Sequence, residues 1–186
     1  PNRNFLELDS SVFQVSTSAD PALPRELLRS PNGLERLARY LPAERKFVNY
    51  VENYPYPYVI ARLCWEIPGA TPDDWQGYNR NGMSSHVTLA DMKAALDCVV
   101  IKRGQFTLVF HTNNWLGQEK AVELVDYAAK KYGPRIKFLS FRDVRERLTK
   151  NLLAGHPLRA ADGRDNGVRV LDVNGDGYMD VVIGNE

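Results

Sequence analysis

The sequence is poor in several features, and each shortage narrows what the chain can do. Its two cysteines, Cys64 and Cys98, have no motif spacing. They are two buried thiols or one disulfide, and spacing leaves that choice open. No apolar run approaches the ~20 residues of a membrane span. Neither sign of charge is in excess, with 24 Lys and Arg against 23 Asp and Glu. Such a balance leaves no electrostatic footprint for nucleic acid or a lipid surface, so neither is expected as a partner. The three histidines show no His-x-x-x-His spacing, so no catalytic metal site is expected within this chain. A P-loop, a dinucleotide fingerprint and a nucleophile elbow are also missing. There is no low-complexity stretch and no repeat at a solenoid period. No signal peptide is visible and the chain begins at Pro1, which reads as a processed product or a fragment.

The most specific stretch lies near the C-terminus: Asp172-Val-Asn174-Gly-Asp176-Gly177-Tyr178-Met-Asp180. Oxygen side chains fall at loop positions 1, 3, 5 and 9, with glycine at 6, as in calcium loops of the D-x-[DN]-x-[DN]-G type. Calcium prefers several hard oxygen ligands, and alternate residues of a tight turn aim theirs at one centre. Tyr178 would add its backbone carbonyl. An EF-hand needs Glu at position 12 and flanking helices. Here position 12 is Ile183, and the flanks Val168-Arg-Val-Leu171 and Val181-Val-Ile183 are β-type runs. The expectation is a strand–loop–strand site for Ca2+ held by Asp172, Asn174, Asp176, Tyr178 and Asp180. A metal-free hairpin turn is the plainer alternative.

Upstream, Phe5–Leu8 and Val12–Val15 read as short strands, and 25–29, 34–41 and a stretch marked by Phe47, Val48 and Val51 as helices. From residue 58 the pattern alternates regularly. Tyr58–Leu63, Phe106–Phe110 and Ile136–Leu139 read as strands, the second apolar enough for burial on both faces. Leu89, Met92, Leu96, Val99 and Val100 form a helical stripe, with Thr88-Leu-Ala-Asp91 as a capping box. Ala121–Ala128 reads as a helix stopped by Gly133-Pro134, and Ser140-Phe-Arg-Asp143 caps another carrying Val144, Leu148 and Leu152. The fold class is therefore α/β, with a partial (β/α) barrel-like parallel sheet, helices outside, and a C-terminal β-hairpin calcium loop. The Gly-, His-, Pro- and Asp-rich stretch 155–166 reads as a linker between residues 1–154 and a hairpin at 167–186.

In parallel α/β folds the site lies at the C-terminal ends of the strands. His111 follows the strand at 106–110, and an imidazole suits proton transfer near neutral pH. Asp74, in the Asp73-Asp74-Trp75 stretch, is placed to orient it, or else belongs to a solvated turn. Trp65 and Glu66 follow the first strand as pocket candidates. His86 reads as a residue before a helix cap, and His156 as part of the linker.

Gly104-Gln-Phe-Thr-Leu-Val-Phe-His111, Trp115, Val122-Glu-Leu-Val-Asp126 and Ile136-Lys-Phe-Leu-Ser-Phe-Arg142 resemble the closing portion of polysaccharide deacetylase-like proteins, over roughly residues 55–150. Those are metal-dependent carbohydrate esterases of the chitooligosaccharide deacetylase type with a distorted β/α barrel. The resemblance implies that His111, at the end of a Leu-x-His motif with Val109 in the leucine place, is a general acid. It implies that Asp74 of an Asp-Trp pair tunes it, and that Trp65, Trp75 and Trp115 wall a site for an acetylated polysaccharide. The family's acidic pair, His-x-x-x-His and Arg-x-Pro segments are not in this sequence. A divalent metal such as Zn2+ is therefore expected for a full catalytic domain but not held here, and the chain alone is expected to be inactive. The tail, through Val181-Val-Ile-Gly-Asn185, resembles an FG-GAP (VCBS-type) repeat. That implies a secreted, extracellular or periplasmic protein, with the rest of a β-propeller as partner. A non-catalytic extracellular calcium-binding module for glycans or proteins is the alternative, and an intracellular α/β enzyme with a plain Asp turn is a third reading.

Overall fold

The computed structural model of the chain describes residues 5–41 and 49–184. It is mixed α/β, with small sheets and separate helices. The described residues form no closed barrel. They divide into two compact units, one drawn from Pro1–Asp9, Pro57–Ile67 and Phe138–Glu186, the other from Ser10–Tyr56 and Pro68–Lys137.

The larger unit holds β2 (Phe13–Val15), α1 (Arg25–Leu28), β3 (Tyr50–Glu52), β6 (Gly69–Ala70), α2 (Asp74–Asn81), α3 (His86–Lys102) and α4 (Gln118–Tyr132). Its sheet is parallel, with β2 between β3 and β6. The helix α3 runs where the apolar stripe put it. Its cap is Ser85, whose side chain accepts from the Val87 amide, and not Thr88. Thr88 and Asp91 lie inside the helix and are buried, so the expected capping box is absent. Asp91 instead takes ion pairs from Arg36 and from Arg39, the latter at 2.6 Å, and a hydrogen bond from the Tyr40 hydroxyl at 2.6 Å. Leu89, Met92 and Leu96 pack with Leu116, Leu124 and Ala128 of the α4 region, while Ala95 and Cys98 pack with Val15, Leu28 and Leu37. Such apolar packing supplies most of a helix's stability in a folded domain.

Several expected elements differ. The helix expected at 34–41 is only a 3-10 turn at Ala38–Tyr40. Val51 lies in β3, while Phe47 and Val48 fall outside the described residues. Residues 106–110 are not a doubly buried strand. Their contact with the sheet is one parallel bridge between Thr107 and Gly69, and Phe110 is exposed. A five-residue apolar run signals a tendency to burial, but one neighbour at a sheet edge covers one side only. Residues 136–139 follow a 3-10 turn at Gly133–Arg135 and pair with no strand among the described residues.

The smaller unit holds β1 (Leu8–Asp9), β4 (Tyr58–Ile60), β5 (Cys64–Glu66), α5 (Phe141–Arg147) followed by a π-helical turn at Leu148–Leu152, β7 (Val168–Leu171) and β8 (Asp180–Ile183). The expected single strand 58–63 is a hairpin instead. β4 and β5 pair antiparallel around Ala61 and Arg62, both in the left-handed region, and β1 pairs parallel with β5. Ser140 and Asp143 form the expected capping box of α5. β7 and β8 pair antiparallel with Val168 opposite Ile183 and Leu171 opposite Asp180. Trp65, Leu153, Leu158 and Val168 make the core, flanked by Leu8, Val59, Val170, Val181 and Ile183. The hairpin thus buries one side against this unit, which a lone two-stranded ribbon in water lacks. Within 155–166, Leu158 is buried and the Arg159 guanidinium lies 5.3 Å from the centre of the Phe5 ring while its Nε donates to the Leu63 carbonyl. Cys64 and Cys98 are both free and buried. Burial pushes the Cys98 thiol up to about 12 and raises that of Cys64, so both stay protonated and unreactive.

Candidate functional site

In the larger unit the bridge between Gly69 and Thr107 is parallel, and the Ala70 amide donates to the Thr107 carbonyl at 2.8 Å. Two parallel segments advance together. Carried forward four residues, the register sets Asp73 beside His111. The chain then turns into α2. Asp73 caps it, its carboxylate accepting from the Gln76 amide at 2.6 Å while the Gln76 side chain accepts from the Asp73 amide at 3.0 Å. Asp74 therefore starts the first turn, where the helix dipole favours a negative charge. Gly77 lets α2 sit on α3, since a Cβ there would fall 2.2 Å from Thr88 Cγ2.

The result is a two-point hold on one residue. Asp74 Oδ2 accepts from the His111 backbone amide at 2.8 Å, and Asp74 Oδ1 lies 2.6 Å from His111 Nδ1. The carboxylate is only 1% exposed, whereas the imidazole is 43% exposed. A carboxylate only accepts, so this pairing puts the proton on Nδ1 and leaves Nε2 on the far side of the ring for other chemistry. Charge-assisted hydrogen bonds of this kind are about twice as strong as neutral ones. Beside them, burial pushes the Asp73 carboxyl up to about 6, aided by the neighbouring Asp74 charge and opposed by the cap hydrogen bond and by His111.

Aromatic rings extend the site. Trp115 returns toward His111 through a turn in which Asn114 takes a left-handed conformation. Its carbonyl accepts from the Ser84 amide at 2.7 Å. The Trp115 ring lies 4.9 Å from the His111 ring, tilted by 52°, and 5.5 Å from the Tyr78 ring, nearly parallel at 12°. Asp74, His111 and Trp115 are thus brought together. Trp75 sits on α2 and is 47% exposed. Trp65 belongs to the smaller unit. It is 3% exposed in the core of the smaller unit, so its indole has no free face for a sugar. His86 is the first residue of α3 and His156 is exposed in a turn. Tyr78 was missed by sequence reasoning. The signal was present: Asp73-x-x-Gln76 is a capping-box pattern, and it makes Asp74 and Tyr78 neighbours on one helical face.

The loop between β7 and β8 is organised differently. Asp172 Oδ1 accepts from the Gly175 and Asp176 amides at 2.7 and 3.2 Å, and Oδ2 from the Gly177 amide at 2.9 Å. Asn174 Oδ1 accepts from the Asp176 amide, Asp176 Oδ1 from the Tyr178 amide and Asp180 Oδ2 from the Val173 amide. The loop carboxylates are thus met in part by backbone donors. Among the described residues no three carboxylate, imidazole or thiolate groups come together as a metal centre. This holds for the loop and for the surroundings of His111 alike. No helix among the described residues is long and apolar enough to cross a membrane.

Residues 166–186 match the FG-GAP repeat family. The match covers the hairpin and its loop, and FG-GAP repeats are typical of extracellular proteins. Neither the comparison with curated proteins nor that with solved structures found a match.

Proposed function

We propose that residues 1–154 are the acid-bearing portion of a polysaccharide deacetylase-like hydrolase, a piece of its β/α barrel, and that residues 167–186 open a calcium-binding extracellular β repeat. The observation that carries the first half is the double hold of buried Asp74 on His111. A general acid needs a fixed tautomer, a free ring nitrogen and a counter-charge for the imidazolium, and Asp74 supplies the first and third. In this reading Nε2–H of the imidazolium protonates the leaving sugar amine or hydroxyl. Asp74 keeps the ring turned while the charge is present, and Trp75 and Trp115 flank the acetylated sugar. The family's reaction uses a divalent metal such as Zn2+, but the described residues do not fit one. The chain alone is expected to release no acetate.

The loop residues do suit Ca2+ by donor chemistry. Asp172, Asn174, Asp176 and Asp180 carry hard oxygens, Tyr178 a carbonyl, and an oxygen that accepts one N–H keeps a second lone pair for a cation. FG-GAP repeats commonly bind calcium. The ion would neutralise the loop and tie β7 to β8. The remainder of a β-propeller is the partner this half implies, and secretion the compartment.

The test is a titration of the chain with N-acetylglucosamine oligomers followed by NMR. Signals of His111, Trp75 and Trp115 should move in the millimolar range, and His111→Ala should leave binding within about threefold because the acid acts on the reacting atoms. Absence of any shift at those three residues sinks the hydrolase reading. The FG-GAP match fits equally a second reading, a non-catalytic extracellular module. In that case sugar or protein ligands would move residues of the α/β part away from those three.

A further inference from the structure

His111 lies just beyond a segment joined to the sheet by one bridge, so regular sheet pairing does not hold its ring. Asp74 fixes one ring nitrogen, but a single Nδ1···Oδ1 contact leaves the ring free to tilt about that axis. On its face the ring meets Trp115, 4.9 Å away. Trp115 itself sits on a turn and rests against the Tyr78 ring, 5.5 Å away and nearly parallel. Tyr78 belongs to the helix that bears Asp74, one turn further on. The helix α2 thus reaches the imidazole twice, through the Asp74 carboxylate and through the Tyr78–Trp115 stack.

We propose that Tyr78 and Trp115 are positioning residues that stop the His111 ring from tilting, so that Nε2 is presented in one direction to a bound acetylated sugar. The proposal rests on the reading of His111 as the proton donor of that site. A near-parallel stack of two aromatic rings attracts beyond what its buried area gives, and so favours one rotamer of Trp115. Tyr78 is 38% exposed, so it contributes little to the core and its role lies in this stack. It also means that one face of Trp115 is covered by protein, so Trp115 meets a sugar with its edge or its remaining face. Tyr78 is then the ring with outward area to spare.

The experiment measures side-chain order parameters of the His111 imidazole by NMR relaxation on the intact chain. That readout needs no hydrolytic activity. In the wild type and in Tyr78→Phe, which keeps the stack, the ring should be ordered near the value of rigid backbone, ~0.85. In Tyr78→Ala and in Trp115→Leu it should fall below ~0.6, with the Nδ1–H tautomer retained because Asp74 is intact. Unchanged order in both truncated variants overturns the proposal, as does a disordered ring in the wild type. If the order parameters follow this pattern while acetylated oligomers fail to shift His111, the positioning device stands and the hydrolase reading falls. The reverse result separates them the other way.

Discussion

Asp91 and Asp172 are both acids that accept several hydrogen bonds, but their donors come from very different distances along the chain. Asp91 is held by Tyr40, Arg39 and Arg36, which lie 51, 52 and 55 positions away. Asp172 is held by the amides of Gly175, Asp176 and Gly177, three to five positions on. Asp97 and Asp176 divide in the same way. Asp97 is buried and accepts from Tyr127, Lys131 and Tyr132, the last at 2.6 Å, and the hydrogen bonds that Lys131 gives to the Tyr127 hydroxyl and to Asp97 raise its ammonium above the usual range. Asp176 is exposed and is bound by the next turn of its own loop. Asp91 and Asp97, taken out of water, are met by donors from other elements, because leaving such a charge unpaired costs several kcal/mol. A carboxylate at the surface is satisfied by whatever amides its turn presents. The buried acids therefore report on the assembled unit, and the loop acids stay free to change partner.

The largest break in this comparison comes from Asp91→Ala. It strands two arginines and a tyrosine and should cost about 3–5 kcal/mol in urea unfolding. Asp176→Ala measured the same way should cost under about 1.5 kcal/mol. Equal costs would erase the distinction between the two sets of acids.

A second break uses pH. The Asp73 carboxyl rises from 3.8 to about 6 on folding, chiefly through burial. The folded state then keeps this proton to a higher pH than the unfolded state. Its stabilising contribution is full below about pH 4 and is lost as pH rises toward and past 6, on the order of 2–3 kcal/mol in total. Asp73→Asn keeps an oxygen for the helix cap and removes the titration. Its stability should be flatter than wild type between about pH 4 and pH 6. An identical slope in both proteins refutes the assignment.

Calcium sharpens the loop side. An extracellular site binds at ~10⁻⁴–10⁻³ M, so about 10 mM calcium should stabilise the wild type by roughly 1.4–2.7 kcal/mol. Asp172→Ala should lose about 0.5–1.5 kcal/mol without calcium and gain nothing on adding it. Thermal melts with calcium or with a chelator read both values, and a wild type indifferent to calcium rules the site out. The loop backbone is tested at Gly177, which has φ +86° and open space where a Cβ would sit. Gly177→Ala should cost only the backbone term, about 1–2 kcal/mol. A larger loss in chemical denaturation would mean that the loop carries tertiary contacts after all.

Elements defined within one stretch of chain were legible in advance. The helices α3 and α4 follow from their apolar periods, α5 from Ser140 and Asp143, and the 167–186 hairpin from β-type flanks around a turn. The match of 166–186 to the FG-GAP repeat follows from the same local pattern. Elements that need a partner were not. Phe106–Val109 and Ile136–Leu139 are apolar enough for strands, yet one has a single bridge and the other no strand beside it among the described residues. Trp65 shows the same limit. An aromatic after a strand lies in a cleft or in a core depending on what packs over it, and here Leu153, Leu158 and Val168 do.

The sequence by itself determined the residue types of the candidate site, an acid, an imidazole and indoles, and the whole of the Asp-rich turn, because those depend on side-chain chemistry and on spacings of a few residues. Only the tertiary structure decided that Asp74 meets His111 across 37 positions and that Tyr78 joins through Trp115. The reason is the parallel register of Gly69 with Thr107, set by hydrogen bonds between distant segments. No pattern within either segment encodes it.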